Sequence, residues 1–104
     1  MNDTAIEYEV TLEVDDGIAD DFLAWLRGHV AEMLALSGFT SATLLSLDME
    51  SADHRGFCVR YHLHDRDALD AYLHDHAPRM REDGLRRFGD AFRASRRILV
   101  SLED

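Results

Sequence analysis

Apolar and polar residues alternate along two segments of the chain, residues 5–14 and 57–64. Successive side chains of a strand point to opposite faces, so both segments predict half-buried β-strands. Residues 40–49 are rich in β-branched and aliphatic side chains and predict another strand, as do residues 92–102. The polar segment 50–56 predicts a turn that joins the second and third strands in a hairpin.

Between the first two strands, apolar residues recur every three or four positions, which predicts an amphipathic helix over residues 18–34. Asp15, Asp16, Asp20 and Asp21 lie before this helix or in its first turn, where carboxylates favour the free amide groups and the positive end of the dipole. The acidic run is therefore explained without a function. The segment Ser37-Gly38 is expected to end the helix.

A second helix is predicted after the third strand, capped by Asp65 or Asp67. It is expected to stop or kink near Pro78, because proline lacks a backbone donor and clashes with the preceding turn. Further helical turns follow before the last strand, with apolar residues at Met80, Leu85 and Phe88.

The predicted element order is βαββαβ, which is the order of an α+β ferredoxin-like fold in one domain over residues 1–104. Right-handed crossovers then give a four-stranded antiparallel sheet of order 4-1-3-2 with the helices on one face. Strand one is central in this sheet. We therefore expect Glu7, Glu9 and Glu13 on the uncovered face, beside Arg60 and one of Arg96 or Arg97, in cross-strand ion pairs.

Composition limits the function classes. The 104 residues suffice for one core, and the polar amino terminus lacks the pattern of a secretory signal. We expect a cytoplasmic protein that contacts no membrane. Cys58 is the only cysteine, so one chain forms no disulfide. The formal net charge of −10 disfavours nucleic-acid binding.

Four segments together carry a resemblance to a known family: residues 8–10 (YEV), 23–27 (LAWLR), 76–81 (HAPRMR, with Gly84 and Arg87-Phe88 after it) and 94–99 (ASRRIL). With these segments the chain resembles the bacterial domain-of-unknown-function family 4286 over nearly its whole length. The resemblance implies a ferredoxin-like fold of the dimeric α/β-barrel type, and it implies no established activity or catalytic residues.

The same architecture is similar, more distantly, to small antibiotic-biosynthesis monooxygenases and haem-degrading enzymes. Those relatives often place asparagine, tryptophan and histidine in a pocket between helices and sheet. Trp25 is available here, whereas the only asparagine of the chain is Asn2. This departure weighs against the oxygenase reading.

Trp25, His29 and Tyr72 are the residues expected to line a pocket between helix and sheet. Imidazole exchanges protons near neutral pH, so Trp25, His29 and His76 are the catalytic candidates. The alternative is that the aromatic stripe is ordinary core packing. Common catalytic signatures are absent from the sequence, and we expect no cofactor.

Residues 76–97 gather seven arginines, which form the sharpest local anomaly of the sequence. Guanidinium groups bind carboxylates or phosphates bidentately, so Arg79, Arg87 and Arg97 join Tyr72 as candidate ligand-binding residues for a small anionic molecule. The competing interpretation is that these arginines neutralise glutamates of the sheet or acids of a partner chain.

His62 and His64 lie two apart on one predicted strand and therefore share a face. With a carboxylate such as Glu9 they are the candidate ligands for a metal ion. Histidines on an open sheet face are more often solvated or paired, and we expect no metal.

Three functions fit these features. The first is a homodimer paired through its sheets, with a pocket for a small anionic or apolar ligand. The second is a cofactor-independent monooxygenase or isomerase. The third, an RNA-binding sheet, ranks last because strands one and three expose glutamates and histidines where exposed aromatic residues are needed.

Overall fold

A computed structural model describes residues 5–102 of the chain. The elements are strand β1 (Ile6–Asp15), helix α1 (Ala19–Leu34), strands β2 (Phe39–Leu47) and β3 (His54–Leu63), helices α2 (Arg66–Asp75) and α3 (Ala77–Phe88), and strand β4 (Phe92–Val100). Single 3₁₀ turns at Asp16–Ile18 and Gly89–Ala91 lead into α1 and β4. This is the predicted βαββαβ order, with the second helical layer divided in two.

The four strands form one sheet in the order β2-β3-β1-β4, which is the predicted order read in reverse. All three strand pairs are antiparallel. In the register of the central strand, Glu9 lies between Arg60 of β3 and Arg97 of β4. The ferredoxin-like prediction is therefore confirmed.

One face of the sheet packs against the helices. Alternate residues of β1 and β3 supply this face, and α1 contributes an apolar stripe at helical spacing. The largest fully buried side chains come from all of these elements: Tyr61, Phe22, Leu26, Met33, Leu69, Val14 and Val59. The opposite face of the sheet, here called the open face, carries the charged residues of β1, β3 and β4.

The cap and the proline near the second helical layer act as expected. Asp65 caps α2, because its Oδ1 accepts a hydrogen bond of 2.9 Å from the backbone N–H of Ala68. Pro78 lies in the first turn of α3, where its missing N–H costs no helical hydrogen bond. The chain thus changes direction at His76 instead of continuing one long helix.

Two details differ from the sequence prediction. The sequence pattern predicts Gly56 in the turn, whereas Gly56 lies within β3, opposite Glu13 and Leu47. A Cβ at this position would approach Leu47 Cβ to 2.8 Å and Met49 Sδ to 2.9 Å, so the absent side chain makes room for the hairpin. The strand therefore starts earlier than the alternation of apolar residues suggests.

Leu85 is one of the apolar residues at roughly helical spacing in the last helix, but its side chain is 57% exposed. The inward face of α3 runs instead through Ala77, Met80 and Gly84 to Phe88. Gly84 takes the inward position because Trp25 occupies the space in front of it, where a Cβ would meet Trp25 Cη2 at 2.9 Å. Leu85 is one residue further round the helix and points to solvent.

No helix among residues 5–102 is both long enough and apolar enough to cross a bilayer.

Candidate functional site

An interior cavity of about 50 Å³ lies between α1, α3 and the helix-covered face of the sheet. Most of its wall is aliphatic or aromatic, and the remaining side chains are polar. The polar and aromatic lining consists of Tyr8, Tyr61, Tyr72, Trp25, Phe92, His29, Arg81 and Arg96. Apolar pockets with a few convergent polar groups are the usual form of small-molecule sites in proteins.

Helix α1 places Trp25 and His29 side by side, because residues four apart lie on one face of a helix. Their rings stack with centroids 4.7 Å apart and an angle of 23° between the planes. The Trp25 indole N–H donates a 2.9 Å hydrogen bond to Asp83 Oδ2 on α3. This bond joins the two helices that enclose the cavity and fixes the orientation of the indole.

Three tyrosines meet at the cavity, Tyr8 and Tyr61 from the sheet and Tyr72 from α2. Tyr8 of β1 is 6.3 Å from Tyr61 and 5.7 Å from Tyr72, measured between ring centroids. Burial raises the pKa of Tyr72 to about 12 and also raises the pKa of Tyr61. Both phenols are consequently protonated at neutral pH and can donate hydrogen bonds.

Arg81 of α3 lines the cavity, and its Nη2 donates a 3.0 Å hydrogen bond to the Tyr8 hydroxyl oxygen on β1. The Nε atom of Arg81 is buried without a protein partner among the described residues. His29 Nδ1 is buried and lacks a partner in the same way. Buried polar atoms normally find a partner, so these two atoms mark the cavity as a place where another molecule can bind.

The protonation state of His29 follows from its surroundings. Burial lowers the pKa of His29, and the positive charge of Arg96 acts in the same direction, while Glu32 and Asp83 oppose the shift. The imidazole is therefore neutral at neutral pH. One of its ring nitrogens can accept a proton or a hydrogen bond, and the other can donate.

The structure brings together only part of the predicted set of site residues. Trp25, His29 and Tyr72 all line the cavity. His76 lies at the junction of α2 and α3, outside the cavity lining, where its Nδ1 is 2.9 Å from Arg79 Nη2. His76 is therefore not part of the site that Trp25 and His29 line.

The three arginines chosen from the sequence do not converge. Arg79 lies on the solvent side of α3, and Arg87 lines a surface groove beside Asp21. Arg97 lies on the open face, where its Nε donates a 2.7 Å hydrogen bond to Glu9 Oε1. The arginines at the cavity are instead two others from the same basic segment, Arg81 and Arg96.

Alternation could have singled out Arg96, since it shares a face of β4 with Phe92 and Ala94, both of which pack on the core. Arg81 is one turn from Ala77 on the inward side of α3, which is a weaker signal. The alternation of β1 and β3 predicts that Tyr8 and Tyr61 lie on the apolar faces of their strands. It does not predict that they line a cavity. The sequence gives no measure of the gap between helices and sheet.

On the open face, the Glu9 carboxylate is only 4% exposed. It accepts hydrogen bonds from Arg97 and from Arg60, whose Nε lies 3.0 Å from Glu9 Oε2. The Arg97 hydrogen bond is the main reason that the pKa of Glu9 is lowered, with Arg60 adding to the effect against desolvation. The predicted cross-strand pairs are thus present, and Arg97 is the partner on β4.

The two metal candidates do not share a strand as predicted, because β3 ends at Leu63 and leaves His64 beyond it. Each histidine lies near one carboxylate. His62 Nδ1 is 3.7 Å from Glu7 Oε1, and His64 Nδ1 is 3.6 Å from Asp65 Oδ2. Within residues 5–102, no group of three or more histidine, cysteine, aspartate or glutamate side chains is arranged to hold a metal ion. Cys58 is buried on the same strand, and burial raises the pKa of its thiol.

The family model described as Domain of unknown function (DUF4286) matches residues 5–102 of the chain. Among proteins of curated function, none matches the chain.

Solved structures share the architecture. The cofactor-independent oxygenase SnoaB from Streptomyces nogalater is 15% identical, with a TM-score of 0.70 over 97% of this chain and 96% of that one. A dimeric ferredoxin-like protein of unknown function from Thermobifida fusca is 14% identical, with a TM-score of 0.68 over 97% and 94%. A dimeric ferredoxin-like protein from an uncultured marine organism is 12% identical, with a TM-score of 0.70 over 98% and 99%. At these identities the likeness shows the fold alone.

Proposed function

The chain belongs to the DUF4286 family, and we propose that it binds a small organic molecule in the interior cavity and functions as a homodimer paired through the open faces of its sheets. One observation carries the ligand-binding part of this proposal. Arg81 Nε and His29 Nδ1 both line or adjoin the same cavity, and both are buried without a protein partner.

The size of the cavity limits the ligand. A bound water occupies roughly 10–15 Å³ of such a volume and about 30 Å³ of liquid. A cavity of about 50 Å³ therefore holds about three to five waters, equivalent to roughly 100–150 Å³ of liquid. A molecule of one ring fits this space. A ligand of several fused rings would require Trp25 or α3 to move.

The homodimer is supported by the charge pattern of the open face. A sheet face that carries unpaired charges is costly to cover. Here the Glu9 carboxylate already has two arginine partners within its own chain. The open face also contains a concave groove, which is lined by Leu45, Leu47, Glu9, Arg60 and Arg97. Both features permit a second copy to pack there, and two of the solved structures that share this architecture are described as dimeric.

Methionine methyl groups give a direct test of ligand binding. Met33 and Met80 line the cavity, whereas Met49 lies between β2 and β3, outside it. We expect single-ring fragments to shift the ¹³C-methyl NMR signals of Met33 and Met80 and to leave that of Met49 in place. A fragment library that moves neither cavity methyl group, or moves all of them equally, would contradict the proposal.

Native mass spectrometry of the untagged protein at low micromolar concentration tests the dimer. We expect an assembly of twice the chain mass of 11.9 kDa. A Glu9→Arg variant places a third positive charge beside Arg60 and Arg97 and is expected to yield monomers. A wild-type protein that remains monomeric would refute pairing through the open face.

Cofactor-independent oxygenation is a second candidate, favoured by the neutral His29 stacked on Trp25 at the cavity. In this reaction His29 accepts a proton from an acidic methylene group, and the carbanion reduces O₂. One oxygen atom becomes the carbonyl oxygen of the product. The other leaves as water with both methylene hydrogens, one of them returned from His29.

Acetylacetone has an acidic methylene group and is small enough for the cavity, so it is a suitable probe. Oxygenation predicts consumption of heavy-isotope O₂, one labelled oxygen atom in the triketone product, and loss of turnover in His29→Gln. Unchanged oxygen uptake relative to buffer would remove this candidate while leaving ligand binding intact.

A further inference from the structure

The interior cavity carries positive charge and no acid of its own. Arg81 and Arg96 are its two guanidinium-bearing lining residues, and no aspartate or glutamate is part of the lining. Asp83 lies outside the lining and accepts the hydrogen bond of the Trp25 indole. This balance is unusual in a chain whose formal net charge is −10.

Resting on the ligand-binding function proposed above, we propose that the ligand is a single-ring carboxylate, with its carboxylate held by Arg81 and Tyr8 and its ring between the aromatic side chains of the cavity. Among the described residues, these two side chains are joined by a hydrogen bond and face the same cavity.

The hydrogen-bonding capacity of the pair matches a carboxylate. Arg81 Nη2 is engaged by the Tyr8 oxygen, while Arg81 Nε–H lacks an acceptor. Tyr8 accepts from Arg81 with its oxygen, so its own O–H remains able to donate. The site therefore offers two donors, one charged and one polarised by the arginine. An ionised carboxylate is an acceptor at both oxygens and pairs with such donors in short, strong hydrogen bonds.

The other polar groups favour the same ligand. The protonated phenols of Tyr61 and Tyr72 are donors, and Arg96, which is exposed to solvent, adds positive charge at the edge of the lining. A neutral ligand would leave the partly buried Arg81 guanidinium without a counter-charge in the cavity, which is costly. A monoanion removes this cost.

The ring of the ligand has apolar and aromatic walls to contact. Trp25 of α1 and Tyr72 of α2 line the cavity, and so do Met33 and Met80. Aromatic side chains and methionine sulfur both pack favourably against a flat ring. The volume argued above allows one ring and a carboxylate, and no more.

Benzoate and benzyl alcohol are matched probes, since both carry one ring and only benzoate is charged. In ¹³C-methyl titrations that follow Met33 and Met80, we expect benzoate to bind about tenfold more tightly than benzyl alcohol, because hydrogen bonds to charged groups exceed neutral ones by about this factor. Arg81→Met is expected to abolish the difference. Arg86→Met, on the solvent side of the same helix in an ion pair with Glu82, is the control and is expected to change neither affinity.

Tyr8→Phe provides a second variant that keeps the packing of the core and removes only the hydroxyl group. It is expected to weaken benzoate about threefold to tenfold and to leave benzyl alcohol unchanged. Equal affinities for the two probes, unaffected by Arg81→Met or Tyr8→Phe, would overturn the carboxylate assignment and leave the ligand-binding function standing. If neither probe shifts the two methyl groups, both the assignment and the function proposed for the cavity are wrong.

Discussion

Glu9 is the residue of the open face at which the structure makes its sharpest energetic prediction. Its carboxylate is buried on the sheet and accepts hydrogen bonds from Arg97 at 2.7 Å and Arg60 at 3.0 Å. Glu9→Gln keeps the shape of the side chain and removes the charge. The amide retains one acceptor oxygen, but its NH₂ group faces the other guanidinium, donor against donor.

The expected cost follows from these contacts. Hydrogen bonds to charged groups contribute about 1.5–3 kcal/mol each, and one of the two is lost while the other is weakened. The arginine side chains are 66% and 48% exposed, so water compensates them in part. We therefore expect Glu9→Gln to lower the free energy of unfolding by about 1.5–3 kcal/mol.

Glu13→Gln is the matched control, because Glu13 lies on the same face of β1, is 40% exposed, and is 3.8 Å from its arginine, Arg93. Glu13→Gln is expected to lower the free energy of unfolding by at most about 0.5 kcal/mol. Urea unfolding measures both, followed by circular dichroism and by the fluorescence of Trp25, the only tryptophan. Protein concentration is held constant because association would add stability.

The stability difference between wild type and Glu9→Gln is also expected to depend on pH. The pKa of Glu9 is lowered in the folded protein, mainly by Arg97. Its contribution is therefore fully present above the unfolded pKa of about 4.3 and is lost as pH falls through the folded value. The difference between wild type and Glu9→Gln should shrink below about pH 4. If Glu9→Gln lowers the free energy of unfolding no more than Glu13→Gln does, the arginine pairs of Glu9 do not stabilise the fold as described. A stability difference that stays unchanged in acid would contradict the lowered pKa of Glu9.

Four further substitutions test the helices. Gly28→Ala, at an exposed site with no atom within 4 Å of the added Cβ, is expected to raise the unfolding free energy by about 0.5–1 kcal/mol. Gly84→Ala should fail to give this gain in the same urea assay, because its Cβ meets the Trp25 ring; an equal gain would contradict the packing described. Asp65→Ala removes the cap of α2 and is expected to cost about 1 kcal/mol in thermal or urea unfolding, so a neutral result would show that the cap contributes nothing. His29→Gln should flatten the loss of stability below about pH 6.5, since burial lowers the pKa of His29 and the unfolded chain binds the extra proton. Parallel pH profiles for the two proteins would argue against a buried, neutral His29.

The strands and their order could be predicted because alternation and crossover handedness act locally and leave few topologies. The pairing of Glu9 with Arg60 followed from that order, and so did its pairing with one of two arginines on β4. Parity along β4 decides between them, because Arg97 shares a face with Glu9 whereas Arg96 points to the helices. Two neighbouring residues of β4 therefore have different roles, because Arg97 pairs with Glu9 and Arg96 lines the cavity.

The cavity itself could not be predicted, for physical reasons. It depends on how far α3 stands from the sheet, and that distance is set by Trp25 packing against Gly84 and by the Trp25–Asp83 bond. The Arg81–Tyr8 contact joins residues 73 positions apart. Neither contact leaves a local pattern in the sequence. Arg79 and Arg87 lie in the same basic segment as Arg81, so the sequence does not show which of these arginines lines the cavity.

The ligand is proposed to bind in the interior cavity and not on the open face. Nuclear Overhauser effects between the ring protons of benzoate and the methyl groups of the protein distinguish the two locations. We expect cross-peaks to Met33 and Met80, because both residues line the cavity. Cross-peaks confined to Leu45, which borders the Glu9 and Arg97 groove on the open face, would contradict it.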